Sequence, residues 1–182
     1  PLVAYQDTTK WGVGQSTTIV KDSATIQLFY HSTTENGPFC MREIKLNDLD
    51  NIVLGKEQAI PFLSANSYPA MSDKYIYMVS ETRVSPIKEI PTWVGDVCRL
   101  AYKPRTEDLA GDKDGWIEIG HAGPEETGFP RNHNPGILTD TKGYMLSDDE
   151  LVMYFTPAMT GENWLWSYDL YSATFNLKSY FK

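Results

Sequence analysis

Apolar and polar positions along the chain follow a pattern that recurs three times. Each copy begins with an apolar stretch ending in an aspartate turn, continues with an aromatic-rich stretch, and closes after a loop with an alternating stretch. The turn aspartates are Asp22, Asp73 and Asp140, and the aromatic-rich stretches after them are 26–30, 75–79 and 151–155. Short apolar runs bounded by turn residues and flanked by period-two alternation indicate β-strands.

The repetition predicts three consecutive antiparallel meanders, at approximately 16–58, 59–120 and 129–177. A meander cannot bury its own faces, so it must stack against its neighbours. We therefore predict a single all-β domain over 1–182, built as a β-propeller-like array of about three blades. The alternative is a β-sandwich in which the repeat is only the rhythm of hairpins, with the first strands pairing with one another.

The connections between these strands carry further expectations. Residues 52–54 and 59–63 are predicted to be short strands linking the first two repeats, and 164–170 to be the third strand of the last repeat. Residues 120–134 are long for a structureless connection, which makes them a candidate functional loop. Little helix is expected, because no segment keeps apolar residues at helical spacing.

Composition and charge narrow the class of protein. Hydrophobic residues make up 41% of the chain and charged residues 22%, as in ordinary folded domains. The net charge is −8 and no cluster of Lys and Arg appears, so neither a nucleic acid nor a membrane surface is an expected partner. No apolar run reaches the length of a membrane span. The start of the chain lacks the pattern of a signal peptide; the location stays open, with an extracellular or periplasmic one favoured.

The two cysteines occupy matching places in the first two repeats. Cys40 and Cys98 each follow a loop glycine, Gly37 and Gly95. Matching places in adjacent blades are too far apart for the Cα separation of roughly 4.4–6.8 Å that a disulfide needs. We predict free, buried thiols that act as small hydrophobic side chains.

The elements of these repeats resemble blades of the five-bladed propeller glycoside hydrolases of families 43 and 32. The resemblance rests on Ser16 to Asp22 with the later 28–30 and 41–44, and on His133 to Asp140 with 152–155. It extends over roughly 16–177 and implies a funnel at the propeller axis. Three carboxylates are implied there, near the starts of the first strands of successive blades.

The chain departs from that family pattern in two ways. Ser16, Ser67 and Asn134 stand at the starts of the first strands, and none of them can ionise. Three repeats also do not close a five-bladed ring. Either two blades are missing from this chain, or chains combine; we expect a second chain or a homodimer to complete the propeller.

A cluster of polar residues precedes and enters the third repeat. Arg131, His133 and Asn134 are the candidate substrate-binding residues, because Arg and His can hold a sugar carboxylate or hydroxyls and Asn can form paired hydrogen bonds. The alternative is a loop that only secures the start of the repeat. Trp164 and Trp166 point the same way on a strand and would form a sugar-stacking platform, with core packing as the alternative.

Glu126 and Glu81 are the candidate catalytic carboxyls, since glycoside hydrolysis normally uses a pair of them across the scissile bond. The alternatives are a solvated loop for Glu126 and a salt bridge at the rim, beside Arg83, for Glu81. No cofactor is expected, because no nucleotide- or phosphate-binding motif appears. No metal is expected either, because His121 and His133 fit no compact ligand motif.

The sequence thus favours a carbohydrate-active, glycoside-hydrolase-like unit that binds an oligo- or polysaccharide at the axial funnel. The alternative is a non-catalytic glycan-binding or assembly module on the same scaffold. An enzyme predicts two carboxyls about 5–10 Å apart around one pocket. A binding module predicts aromatic and amide groups there without such a pair.

Overall fold

The structure, a computed structural model, describes residues 14–31, 39–48, 50–60, 67–82, 96–106, 109, 115–158 and 169–181. These residues form three antiparallel sheets that follow one another along the chain. Among the described residues, helix comprises α1 (Pro124–Thr127), a 3₁₀ turn at Leu177–Ser179 and Gly115, which is also in 3₁₀ conformation. The all-β prediction is confirmed.

Each sheet is a meander whose strands pair mainly with their neighbours in sequence. Sheet 1 contains β1 (Gly14–Asp22), β2 (Thr25–His31) and β3 (Phe39–Lys45), with β4 (Val53–Leu54) and β5 (Gln58–Ile60) both paired to β3. Sheet 2 contains β6 (Tyr68–Met71), β7 (Tyr75–Thr82), β8 (Val97–Pro104) and β9 (Ile117–Ala122). Sheet 3 contains β10 (Arg131–Ile137), β11 (Glu150–Ala158) and β12 (Tyr171–Asn176). The first strand of sheet 2, β6, contacts the first strands of both other sheets, β1 and β10.

The aromatic-rich strands are second in each sheet, with a partner on either side. In β2 and β7 nearly every residue is buried, on both faces. A strand covered on both faces gains free energy from apolar side chains at every position, which explains why these stretches show no alternation.

Aspartate turns end two of the first strands or follow them closely. The Asp22 carboxylate accepts a hydrogen bond from the Ala24 amide at 2.8 Å. The Asp140 carboxylate accepts bonds from the amides of Lys142 and Tyr144, both at 2.8 Å. These are the side-chain-to-backbone bonds by which aspartate favours turns, so the turn predictions at these two positions are confirmed.

Local expectations about the connections were met in part. The short strands predicted at 52–54 and 59–63 are found as β4 and β5, with 61–63 outside the described residues. Both complete sheet 1, because the exposed edge of β3 offers them hydrogen-bonding partners. The expected long loop at 120–134 is taken up by the end of β9, by α1 and by the start of β10. Of the predicted strand 164–170, residues 164–168 lie outside the described residues, and Asp169 and Leu170 are not in a strand. The strand that pairs with β11 is β12.

The turn between β10 and β11 joins all three sheets. The Val20 amide of β1 donates to the Lys142 carbonyl at 2.9 Å. The Met71 amide of β6 donates to the Gly143 carbonyl at 3.0 Å, and the Met71 carbonyl accepts from the Met145 amide at 2.8 Å. Sheet 3 therefore connects by backbone hydrogen bonds to the first strands of sheets 1 and 2.

Apolar clusters fill the spaces on either side of sheet 2. One brings side chains of sheets 1 and 2 together, among them Phe29 and Met78, and the other joins sheets 2 and 3, among them Leu100 and Leu151. Cys40 and Cys98 are buried and form no disulfide, as predicted. No helix in the described part of the chain has the length and apolar character needed to cross a membrane.

Candidate functional site

A buried ion pair connects sheets 2 and 3. Glu81 of β7 and Arg131 of β10 are each 5% exposed, and Arg131 Nη2 lies 3.6 Å from Glu81 Oε1. The Asn134 backbone amide donates to Glu81 Oε2 at 3.2 Å. The structure thus brings together three of the predicted site residues, and both oxygens of one carboxylate engage β10.

The start of β10 is built from polar residues that sheet 2 holds in place. The Asn132 amide donates to the Asp96 carbonyl at 3.0 Å, just before β8 begins. Asn134 has a positive φ of 49°, the one such non-glycine residue in the described ranges. A left-handed backbone costs a non-glycine residue free energy and is concentrated at functional sites. Here it accompanies a shift in the β10–β11 register between His133 and Gly136.

His133 lies behind this turn and is 1% exposed. Its Nε2 is 3.2 Å from the Thr156 hydroxyl, which also donates to the His133 carbonyl at 3.2 Å. Burial, reinforced by the positive charge of Arg131, lowers the pKa of His133 to about 4. The ring is therefore neutral near pH 7, and it supports β10 rather than carrying a charge.

Acidification is expected to destabilise the protein through His133. Its ordinary pKa is 6.5 and its folded pKa is about 4, so the unfolded chain takes up the proton first as the pH falls. Above pH 6.5, His133 is neutral in both states and its contribution to the free energy of unfolding is complete. This contribution, up to about 3 kcal/mol, is lost as the pH falls toward 4. Urea unfolding across this range should show a shallower pH dependence in His133→Gln. The control is His121→Gln, which replaces an exposed histidine and should lose stability on acidification as the parent protein does. Identical pH profiles for His133→Gln and the parent protein would show that His133 does not cause the loss of stability.

Two tyrosines that the sequence analysis did not single out lie on sheets 2 and 3, which the ion pair connects. Tyr154 of β11 faces Gly136 of β10, and a Cβ on Gly136 would meet the ring at 2.2 Å. The hydroxyl end of the ring therefore packs directly against Gly136, and 39% of the residue is exposed. Burial raises the pKa of Tyr68, and the charges of Tyr154 and Glu81 add to the rise. The signal in the sequence was a glycine in one strand opposite an aromatic residue in the next.

Glu126 lies in a different setting from Glu81. Its carboxylate accepts from the Gly123 amide at 3.0 Å, at the start of α1, and lies 3.2 Å from His121 Nε2. Desolvation acts to raise the pKa of Glu126, but hydrogen bonds from the amides of Glu126 and Gly123, together with His121, lower it overall. A general acid needs a raised pKa, so this environment suits a helix cap. Among the contacts of the described residues, none joins Glu126 to Glu81.

The remaining predicted groups can be placed only in part. Trp164 and Trp166 lie outside the described residues. Ser16 is exposed in β1, and Ser67 is buried just before β6. Within the described ranges, no group of three or more His, Cys, Asp or Glu side chains is arranged to hold a metal.

The chain was also compared with known proteins. No protein-family model matches it, and no curated protein sequence matches it. Its function must therefore be argued from the geometry of Glu81, Arg131, Asn134 and the two tyrosines.

Proposed function

We propose that this chain is a propeller-like module that binds an oligo- or polysaccharide beside the junction of sheets 2 and 3. The scaffold proposal is supported by the three consecutive meanders and by β6, which contacts the first strands of both neighbouring sheets. In such an array the first strands lie nearest the axis, and the Glu81–Arg131–Asn134 cluster involves the first strand β10.

The observation that carries the binding proposal is the Tyr154 ring, which packs against Gly136 and stays partly exposed. A partly exposed aromatic ring held in one orientation offers an apolar face and a hydroxyl together. The C–H face of a sugar ring can stack on it while its hydroxyls reach hydrogen-bonding groups. The exposed side chain of Asn134, two residues before Gly136 in β10, and the half-buried Tyr68 of β6 can supply such groups.

Binding without hydrolysis is favoured by the state of the carboxyls. Glu81 is buried and engaged with Arg131 and the Asn134 amide, and Glu126 caps α1. Neither is presented to a sugar as one of a facing pair, which glycoside hydrolysis normally uses. Catalysis would need further carboxyls, from a second chain or from outside the described ranges.

We further propose that a second chain completes the array, because three blades do not close a ring. Sheet 3 supports this: its last strand, β12, pairs only with β11 among the described strands, and Tyr171 is 44% exposed. An edge strand of this kind is a ready surface for pairing with another chain. The mass of the protein in solution distinguishes a dimer from a monomer.

Replacing Tyr154 is expected to weaken glycan binding. Affinity electrophoresis against a panel of neutral and acidic polysaccharides should identify a ligand that retards the parent protein. Tyr154→Ala should then weaken that binding about tenfold or more, as removal of an aromatic hot-spot residue does. The control is Tyr180→Ala, which removes an exposed tyrosine outside the site.

Two other outcomes of the same experiment are informative. If no polysaccharide in the panel binds, or if Tyr154→Ala binds as well as Tyr180→Ala, the binding proposal fails. Release of reducing ends that is lost in Glu81→Gln would instead identify the chain as a hydrolase. Folding of each variant is checked by its urea unfolding midpoint.

A further inference from the structure

A cavity of about 220 Å³ lies between sheets 1 and 2, away from the cluster just described. Four apolar residues form part of its wall: Met41 of β3, Met71 of β6, Ile76 of β7 and Leu109. An apolar protein cavity of about 150 Å³ holds benzene. This cavity therefore has room for an aromatic ring with one or two small substituents.

The apolar part of the wall suits an aromatic ring in particular. Met41 and Met71 approach from opposite sheets. Thioether sulfur makes favourable contacts with ring edges, and the flexible methionine side chain adapts to the shape of a ligand. A flat ring between the sheets would contact both.

One residue of the wall, Gln27, carries a buried hydrogen-bond acceptor. Gln27 of β2 is 8% exposed, and its Oε1 has no hydrogen-bond partner among the described residues. A buried acceptor without a partner costs free energy that a suitable donor recovers. A ligand hydroxyl reaching Gln27 would supply that donor.

Two cations in the same wall favour a negative charge on the ligand. Arg105 has neutral partners within the described ranges: the Ser72 carbonyl and the Tyr144 hydroxyl, each at 3.2 Å, and the Tyr144 ring. Lys21 pairs with Glu43, but that carboxylate also lies 3.9 Å from Lys45. The wall therefore keeps an excess of positive charge.

We propose that the cavity between sheets 1 and 2 binds a small aromatic carboxylate that carries a hydroxyl group. The ring lies between Met41 and Met71, the carboxylate faces Arg105 and Lys21, and the hydroxyl donates to Gln27. This site is separate from the glycan surface, and its test does not depend on the outcome there.

The probe is para-hydroxybenzoate, titrated by calorimetry into the full chain. A ligand of this size is expected to bind with a Kd of about 1 mM or tighter. Two analogues test the separate groups: para-hydroxybenzamide lacks the charge, and benzoate lacks the hydroxyl. Each should bind about fivefold to tenfold more weakly, the value of one hydrogen bond or charge contact.

Variants of the wall test the same contacts from the protein side. Gln27→Leu should bind para-hydroxybenzoate and benzoate equally, because the acceptor is gone. Lys21→Gln should lose part of the preference for the acid over the amide. The matched control is Lys45→Gln, since Lys45 also contacts Glu43 and is similarly exposed but does not line the cavity.

The location is tested by NMR of isotope-labelled methionine methyl groups. Para-hydroxybenzoate should shift the signals of Met41 and Met71 and leave that of Met153, in sheet 3, unchanged. Methionine-to-leucine variants assign the signals. Absence of binding, or binding that moves Met153 but neither Met41 nor Met71, would overturn the proposal; so would equal loss of binding in Lys21→Gln and Lys45→Gln.

Discussion

Replacing Arg131 with methionine is expected to lower the free energy of unfolding by about 3–5 kcal/mol. Methionine fills much of the same space without charge, so packing is largely kept. Glu81, which is 5% exposed, would remain buried without the cation that lies 3.6 Å from it. Removing one partner of a buried ion pair is costly because the other charge has already lost its hydration.

A double-mutant cycle separates the ion pair from the packing around it. Glu81→Gln removes the charge while keeping the shape, and the double variant should be less destabilised than the sum of the two single variants. The measurement is urea unfolding of the four proteins. The control is Lys178→Met, which breaks an exposed pair with Asp149 of 2.8 Å and should cost no more than about 1 kcal/mol. If Arg131→Met lowers the free energy of unfolding no more than Lys178→Met does, the ion pair does not anchor sheet 3 to sheet 2.

Replacing Gly143 with alanine is expected to lower the free energy of unfolding by about 2–6 kcal/mol, from two sources. Its φ of 86° lies in the left-handed region, which costs a residue with a Cβ about 1–3 kcal/mol. A Cβ there would also lie 3.0 Å from Ile19 Cγ1 and 3.1 Å from the Thr18 carbonyl oxygen. Part of this contact is with the backbone of β1, which is held by its strand pairing and cannot shift without breaking hydrogen bonds. The overlap therefore lowers the free energy of unfolding by about a further 1–3 kcal/mol.

The matched control for this prediction is Gly128→Ala. Gly128 has a similar φ of 75°, but a Cβ there would meet nothing within 4 Å. It therefore reports the backbone cost alone, and the difference between the two variants reports the approach of the β10–β11 turn to sheet 1. Equal losses in the two unfolding midpoints would mean that the turn can move away from β1 without penalty.

Part of the candidate site was predicted from the sequence. Arg131, Asn134 and Glu81 were each selected as polar residues near predicted strand ends, and the structure brings them into contact. Glu81 and Asn134 are 53 positions apart in the chain, so their pairing depends on how sheets 2 and 3 pack. Glu126 was chosen for the same chemical reason as Glu81. Its cap on α1 was missed because residues 120–134 had been interpreted as a loop.

Local rules determined most of the strand pattern from the sequence. Continuous apolar stretches predicted β2, β7 and β11, the second strand of each sheet. Aspartates predicted the turns at Asp22 and Asp140. Both signals act over a few residues, through burial and through side-chain hydrogen bonds to nearby amides. The burial of both cysteines without a disulfide followed from the same repeat.

Only the tertiary structure decided which distant groups meet. β4 and β5 joined sheet 1 because β3 offered an open edge, and the Gly143 carbonyl bonded to the Met71 amide of another sheet. The Tyr154 ring packs against Gly136 because two strands with a shifted register place them opposite each other. Such contacts depend on register and on packing between sheets, which no short stretch of sequence encodes by itself.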